Sequence, residues 1–225
     1  MKKLGLMGAM ADEIAPLYEK MTDRHETALG GITFYEGVLA GKDVVLCCAG
    51  MGKAQAAAAT QLLCTSFGVQ AVLFSGIAGN MSGKVGVGDV IVGETVVYHD
   101  GTTRMFAQTA PFLEEFAADP ALVAAAGAAC DAAGVRHIAG RIATGDEFIE
   151  DAAKKRAIQE KCAPDCVEME GAAVAHIAAK NGVPFVILRA VSDNADEHAL
   201  ETINFDLHRY CETAAKISET LISLL

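Results

Sequence analysis

The sequence has no cluster of Lys and Arg and no interleaving of basic with aromatic residues. Its 225 residues carry 18 Lys and Arg against 29 Asp and Glu, a formal net charge of −11 at pH 7. Nucleic-acid binding draws its affinity from basic patches that neutralise phosphates, so no nucleic-acid partner is expected. Also lacking is an uninterrupted apolar stretch of the roughly 18 residues that a membrane span needs. The apolar opening "LGLMGAM" turns acidic at Asp12 and Glu13, which does not suit a cleavable signal, and no membrane partner is expected. No linker, low-complexity tract or internal repeat is visible. The seven cysteines (Cys47, Cys48, Cys64, Cys130, Cys162, Cys166 and Cys211) are an odd number lying mostly in apolar runs. Cys162 and Cys166 have no second pair of ligands nearby, and the six His form no metal-binding pattern. Buried or idle thiols, no metal, and a reduced cytoplasmic setting are the expectation.

What is present is apolar bulk: 52% hydrophobic and 21% charged residues, enough to fill a sizeable core. Residues 2–10 read as a buried strand and 11–21 as a helix. Residues 32–41 and 42–50 read as a hairpin turned at Gly41-Lys42. The Ala-rich stretch 53–67 has no polar face, which predicts a helix buried on several sides. Further strands are expected over 69–79, 87–100, 135–148 and 184–193, with 101–112 as a loop. Helices are expected over two stretches spanning 112–134 (restarting at Pro120), over 150–162, and from 172 to a stop at Gly182 and Pro184. The last helix carries Leu207, Tyr210, Cys211, Ala214, Ile217, Leu221 and Leu224 on one stripe. Strands alternating with helices, several of them continuous apolar runs, predict an α/β fold. Residues 1–225 read as a single domain with a largely parallel or mixed central sheet flanked by helices.

Open α/β sheets bind ligands beyond the carboxyl ends of their strands, and the polar exceptions fall at those ends. Glu13 follows the first strand and "SGIAGN" (75–80) the central one. "GDEF" (145–148) follows a third, "RAVSD" (189–193) ends the last, and "EME" (168–170) stands between those two. Each has an ordinary explanation. Asp12 and Glu13 suit a helix N-terminus, worth about 0.3–1 kcal/mol. Glu168 and Glu170 look like acids of a first helical turn, and Phe148 like core. Arg189 and Asp193 could be a structural ion pair, and Gly76 and Gly79 an ordinary turn. Only their joint placement points to a small-molecule enzyme site.

The motifs "GAMADE", "GIAG", "VGDVIV", "YHD", "GDEFI", "VEMEGAAVAH" and "RAVSD", in this order over residues 2 to about 195, resemble those of nucleoside phosphorylases and nucleosidases. The closest likeness is to the 5'-methylthioadenosine/S-adenosylhomocysteine nucleosidases. The resemblance implies a nucleoside phosphorylase-like fold, a purine thio-nucleoside as small-molecule partner, no cofactor, and a homodimer. It also implies roles. Asp193 matches the acid that hydrogen-bonds the purine at N7 and the exocyclic amine, and Glu13 the base that activates water. Glu170 matches the residue holding the ribose hydroxyls, with the Met169 backbone beside it, and Arg189 lies in the same network. Phe148 matches the aromatic that stacks on the purine and Ile149 the backbone reading its edge. Ser192, Ile77 and Gly79 fall in matching substrate-binding segments, and Glu168 takes a supporting role.

A phosphorylase must hold phosphate just after the first strand, where Asp12 and Glu13 would repel it, so hydrolysis by water is favoured over phosphorolysis. A futalosine-type nucleoside hydrolase and, outside enzymes, a non-catalytic nucleoside-binding protein are the other readings. The chain departs from the pattern at Ile77, where relatives often have Ser, at Asn80, and in a shorter segment 101–112.

Overall fold

The computed structural model describes residues 3–225, apart from the side chains of residues 203–206. In chain order the elements are β1 (Leu4–Gly8), α1 (Ala11–Lys20), β2 (Thr22–Leu29), β3 (Ile32–Leu39), β4 (Lys42–Cys48) and α2 (Lys53–Thr65). Then follow β5 (Ala71–Asn80), β6 (Val90–Tyr98), α3 (Thr103–Phe106), β7 (Phe116–Ala117), α4 (Pro120–Ala133) and β8 (His137–Thr144). The chain closes with α5 (Ala152–Cys162), β9 (Cys166–Glu168), α6 (Gly171–Lys180), β10 (Phe185–Asp193) and α7 (Ala199–Leu224).

One mixed sheet holds all ten strands, in the order β10-β6-β8-β9-β5-β1-β4-β3-β2 with β7 on β6. β5 also pairs with β10, so the path β10-β6-β8-β9-β5 closes on itself. The interior strands are buried on both faces because they carry continuous apolar runs, as in β1 and the first half of β10. One face packs α2 and α6, where Ala56 and Ala59 meet Ala172, Ala175 and Ala178. The other packs α1, α4 and α7 over Leu6, Leu73 and Leu188. Alanine lets α2 and α6 approach each other closely, but α2 is buried along one side only. Ala54, Gln55 and Ala58 face solvent, so its lack of a polar face reflects small residues and not all-round burial.

The expected strands and most helices are present; Lys2, at the start of the expected first strand, lies outside the described residues. Besides the short strand β9, which was not expected, four local features differ. Residues 112–119 are not helical: Phe116 is fully buried, its ring centroid 4.9 Å from that of His176 and 6.1 Å from that of Tyr98, and β7 pairs antiparallel with β6. The helix starts at Pro120, capped by Asp119, whose Oδ1 accepts from the Ala121 and Leu122 amides at 2.9 and 3.0 Å. Residues 103–106 form the short helix α3 inside the expected loop. β2 was not expected, because its TDRHETAL sequence has no apolar alternation. It is an exposed edge strand held by backbone pairing to β3. Finally, the α7 stripe runs onto Ile222 and leaves Leu224 exposed. Among the described residues no helix is long and apolar enough to cross a membrane.

Phe34, fully buried on β3, stacks obliquely with Phe67 at 4.6 Å between centroids. Phe34→Ala is expected to lower unfolding free energy by about 3–5 kcal/mol. Urea denaturation checks this, and a loss under ~1 kcal/mol would mean the site collapses to fill the cavity.

Candidate active site

The first, central and last strands run parallel and side by side, β1 on β5 and β5 on β10, so their carboxyl ends open on one side. There a pocket of about 240 Å³ is lined by Glu13, Glu168, Glu170, Ser192 and Asp193, with walls that include Met10, Met51, Ile77, Phe148 and Leu200. A smaller recess of about 30 Å³ adjoins it, between Gly79, Phe148, Ile149, Met169 and Asp193. Residues more than a hundred positions apart thus line one cavity. Among the described residues lining it there is no Lys, Arg or His.

Glu13 satisfies both accounts open to it. Its Oε2 accepts from the Ala9 and Met10 amides at 2.6 and 3.0 Å, which caps α1. Its Oε1 accepts from the Ile77 amide at 3.2 Å, which ties it to β5 and turns it into the pocket. The backbone of Ile77 thus supplies a contact to the carboxylate where relatives often have Ser. Burial pushes the Glu13 carboxyl up, against the pull of Arg189 and three amides. Asp12, one residue earlier, is exposed.

Glu168 and Glu170 divide the remaining work. Glu168 is the capping acid: its Oε2 accepts from the Glu170 and Gly171 amides at 3.1 and 2.7 Å, at the start of α6. It also accepts from the Thr144 hydroxyl and pairs with Arg189. Glu170 occupies the N-cap position of α6, yet its side chain caps nothing there. Instead Oε1 accepts from the Gly52 amide at 2.7 Å, and Oε2 lies 3.4 Å from Arg189. Burial, then the neighbouring Glu168 charge, raise the Glu170 carboxyl from the ordinary 4.5 to about 7.

Arg189 is fully buried, with its guanidinium carbon 4.1 Å from the centroid of Phe74. It pairs with Glu168 and Glu170, so a structural pair between Arg189 and Asp193 is not what forms. Asp193 instead takes the Ser192 hydroxyl on Oδ2 and the Ala195 amide on Oδ1, both at 2.7 Å. Burial raises its carboxyl as well. The glycines facing these groups are required for space. A Cβ on Gly76 would lie 2.0 Å from Arg189 Nη1 and 2.5 Å from Glu13 Oε1, and one on Gly79 would lie 2.9 Å from Asp193 Oδ1.

Glu13, Ile77, Gly79, Phe148, Ile149, Met169, Glu170, Ser192 and Asp193 line the pocket or the adjoining recess, with Arg189 against Glu170; Asp12 and Asn80 line neither. Phe148 is half exposed at its mouth, Ile149 is buried beneath, and Met169 lines the wall. Reading the sequence missed the Gly52 amide, the Thr144 hydroxyl, Met51 and Leu200. "GMGK" (50–53), just after β4, was the available signal for the first: a Gly turn into a helix presents free amides to an acid. Among the described residues no cluster of His, Cys, Asp and Glu is placed to hold a metal ion, and all seven cysteines are free.

Fold and pocket together define an α/β small-molecule enzyme whose site sits at the carboxyl ends of a curled mixed sheet. The sequence model of the Phosphorylase superfamily matches residues 3–223. The aminodeoxyfutalosine nucleosidase of Helicobacter pylori strain J99 is 35% identical over 230 residues, covering 100% of both chains. The 5'-methylthioadenosine/S-adenosylhomocysteine nucleosidase of Shewanella halifaxensis is 38% identical over 210 residues, covering 91% of this chain and 90% of that one. Among solved structures, the Neisseria meningitidis 5'-methylthioadenosine/S-adenosylhomocysteine nucleosidase in complex with methylthio-immucillin-A superposes with a TM-score of 0.95 at 34% identity, with 100% of both chains covered. The chain belongs to the Phosphorylase superfamily and is an N-glycosyl hydrolase of its nucleosidase group.

Two outcomes follow from the geometry. Gly76→Ala is expected to cost about 1–3 kcal/mol of stability and to displace Arg189 or Glu13. Denaturation with a parallel activity assay checks it, and an unperturbed, fully active variant would refute the packing described. The second concerns pH. Because the fold raises Glu170 from 4.5 to about 7, the folded state holds a proton there that the unfolded chain has released across that window. The Glu170 contribution to stability therefore falls as pH rises from 4.5 to 7. Glu170→Gln, which cannot ionise, should melt higher than the parent near pH 8, with the difference closing near pH 4.5. A lower melting temperature at both pH values would mean that Glu170 is a structural cap.

Proposed function

We propose that the chain hydrolyses the N-glycosidic bond of 5'-methylthioadenosine and S-adenosylhomocysteine, releasing adenine and a 5-thio-substituted ribose. The observation that carries this reading is the convergence of Glu13, Glu170 and Asp193 on one largely apolar pocket with no cation in its lining. Cleavage builds positive charge on the ribose and negative charge on the departing purine. Asp193, with its carboxyl raised by burial, delivers a proton to purine N7 as the bond from C1' to N9 breaks. Its partner Ser192 holds the carboxyl in place.

Glu13 orients a water and takes its proton as the water oxygen bonds C1'. Glu170 accepts from the ribose hydroxyls, and its charge faces the oxocarbenium-like transition state. Met169 contributes backbone beside it, while Arg189 holds the acids in register. Phe148 stacks on the purine, Ile149 reads its edge through the backbone, and Ile77 and Gly79 form the floor. A phosphate in place of water would face Glu13 with no Lys or Arg in the lining, which disfavours phosphorolysis. Met51 and Leu200, exposed and apolar at the pocket, suit the thioether on the 5' carbon that both substrates share.

The second reading is an aminodeoxyfutalosine-type nucleosidase, favoured by the full-length similarity to the Helicobacter pylori relative of that name. Product analysis on methylthioadenosine, S-adenosylhomocysteine, aminodeoxyfutalosine and inosine, each with and without phosphate, separates the readings. Adenine release from the first two without phosphate is expected, with kcat lowered about 10²–10⁴-fold by Asp193→Asn. A strict phosphate requirement, or cleavage of aminodeoxyfutalosine alone, would overturn the first reading. Binding without turnover by the parent protein would make the chain a nucleoside-binding protein.

A further inference from the structure

Outside the pocket itself, three loops beyond different strands meet at one charged group. Lys53 opens α2, immediately after Gly52, whose amide holds Glu170. The Lys53 amide donates to Asp146 Oδ1 at 2.8 Å, two residues before Phe148. Its ammonium donates to Asp100 Oδ2 at 2.6 Å, in the turn after β6, and lies 3.5 Å from Asp146 Oδ2. Asp100 Oδ2 also accepts from the Asp146 amide at 3.0 Å, so the triangle is closed. The ammonium lies 5.7 Å from the centroid of Tyr98. Lys161 on α5 holds the same turn from the other side, donating to the His99 and Gly101 carbonyls at 2.5 and 3.1 Å.

This arrangement exceeds what a surface ion pair needs. Lys53 and Asp100 are 25% and 30% exposed at the side chain, so solvent screens them only in part. Consecutive amides of one helical turn hold two acids, Glu170 on the ribose side and Asp146 on the purine loop. A displacement of that turn would move both together. Gly52 is closely fitted, since a Cβ there would stand 3.2 Å from Asp146 Oδ1 and its φ of +93° is one that other residues rarely adopt.

The geometry points to Lys53 as a positioning residue that locks the purine loop 145–149 to the turn holding Glu170, so that adenine and ribose are gripped in fixed relation. The inference rests on the nucleosidase reading above for what the pocket holds. Lys53 itself does not line the pocket, and its effect is transmitted through Asp146, Asp100 and the α2 turn.

The test uses the full chain with methylthioadenosine for kinetics and adenine for calorimetric binding. Lys53→Met is expected to raise KM and the adenine Kd about tenfold, with kcat changed less than about threefold. Lys53→Arg should restore both constants to within about threefold of the parent. The parent KM should rise between about 0.05 and about 0.5 M NaCl, while that of Lys53→Met stays flat. If Lys53→Met does not fold, Asp100→Asn removes the same ion pair and carries the same expectation. KM and adenine Kd within twofold of the parent would overturn the lock while leaving the functional reading intact. A fall in melting temperature and kcat with unchanged adenine affinity would overturn it too, by showing Lys53 to be structural. A parent protein that neither binds adenine nor cleaves methylthioadenosine would remove the functional reading and this inference with it.

Discussion

A guanidinium buried in the middle of a sheet has to be surrounded by anions, and the organisation of this molecule's upper half follows from that requirement at Arg189. The group is fully buried, rests on the Phe74 ring, and meets Glu168 and Glu170 directly, with Glu13 also within electrostatic reach. Removing Arg189 would leave three buried acids without a counter-charge, which in general costs more than a surface pair ever contributes. The same group lets three acids remain near one another in an apolar pocket. Burial pushes Glu13 and Glu170 toward the neutral form, and Arg189 pulls both back. The balance leaves Glu170 near neutrality, where a carboxylate can still change its protonation state at working pH.

Arg189 reaches its place because β10 and β5 pair in a register that sets it opposite Gly76. The missing Cβ there leaves room for the guanidinium and the Glu13 carboxyl to face each other. Farther along the same pair, a register shift between Val191 and Asp193 sets Asp193 opposite Gly79 and aims it at the pocket instead of at Arg189. The two charged residues of "RAVSD" therefore serve different parts of the site. Helix starts complete the arrangement. The first amides of α6 hold Glu168, and the turn into α2 holds Glu170 and Asp146. Acids at helix N-termini are stabilised by the peptide dipoles, so capping and site-building are done here by the same residues.

Legibility followed burial. Strands with continuous apolar runs, such as β1, β5 and β10, announce themselves because both faces are covered. Acids interrupting those runs at their carboxyl ends stood out for the same reason, and Glu13, Glu170 and Asp193 were found in that way. β2 gave no signal because an edge strand can be held by backbone bonds alone, with polar side chains on both faces. Residues 112–119 misled because Phe116 is drawn off a helical path to fill space between Tyr98 and His176. The unequal roles of Glu168 and Glu170 were also invisible along the chain. Two positions apart, they differ only in what the fold sets beside them: Thr144 and an amide pair for one, Gly52 for the other.

The sequence alone therefore determined the α/β class, the strand and helix alternation, and the set of acids at the carboxyl ends, because period and polarity are local properties of a chain. Family membership was legible too, since the motifs are short and contiguous. Only the tertiary structure decided which acid caps and which lines the pocket, and where Arg189 finds its anions. It alone decided that Lys53 would meet Asp100 and Asp146. Those outcomes depend on strand register and on loops that lie tens of residues apart, and a contact between chain-distant residues has no local trace until the sheet brings them together.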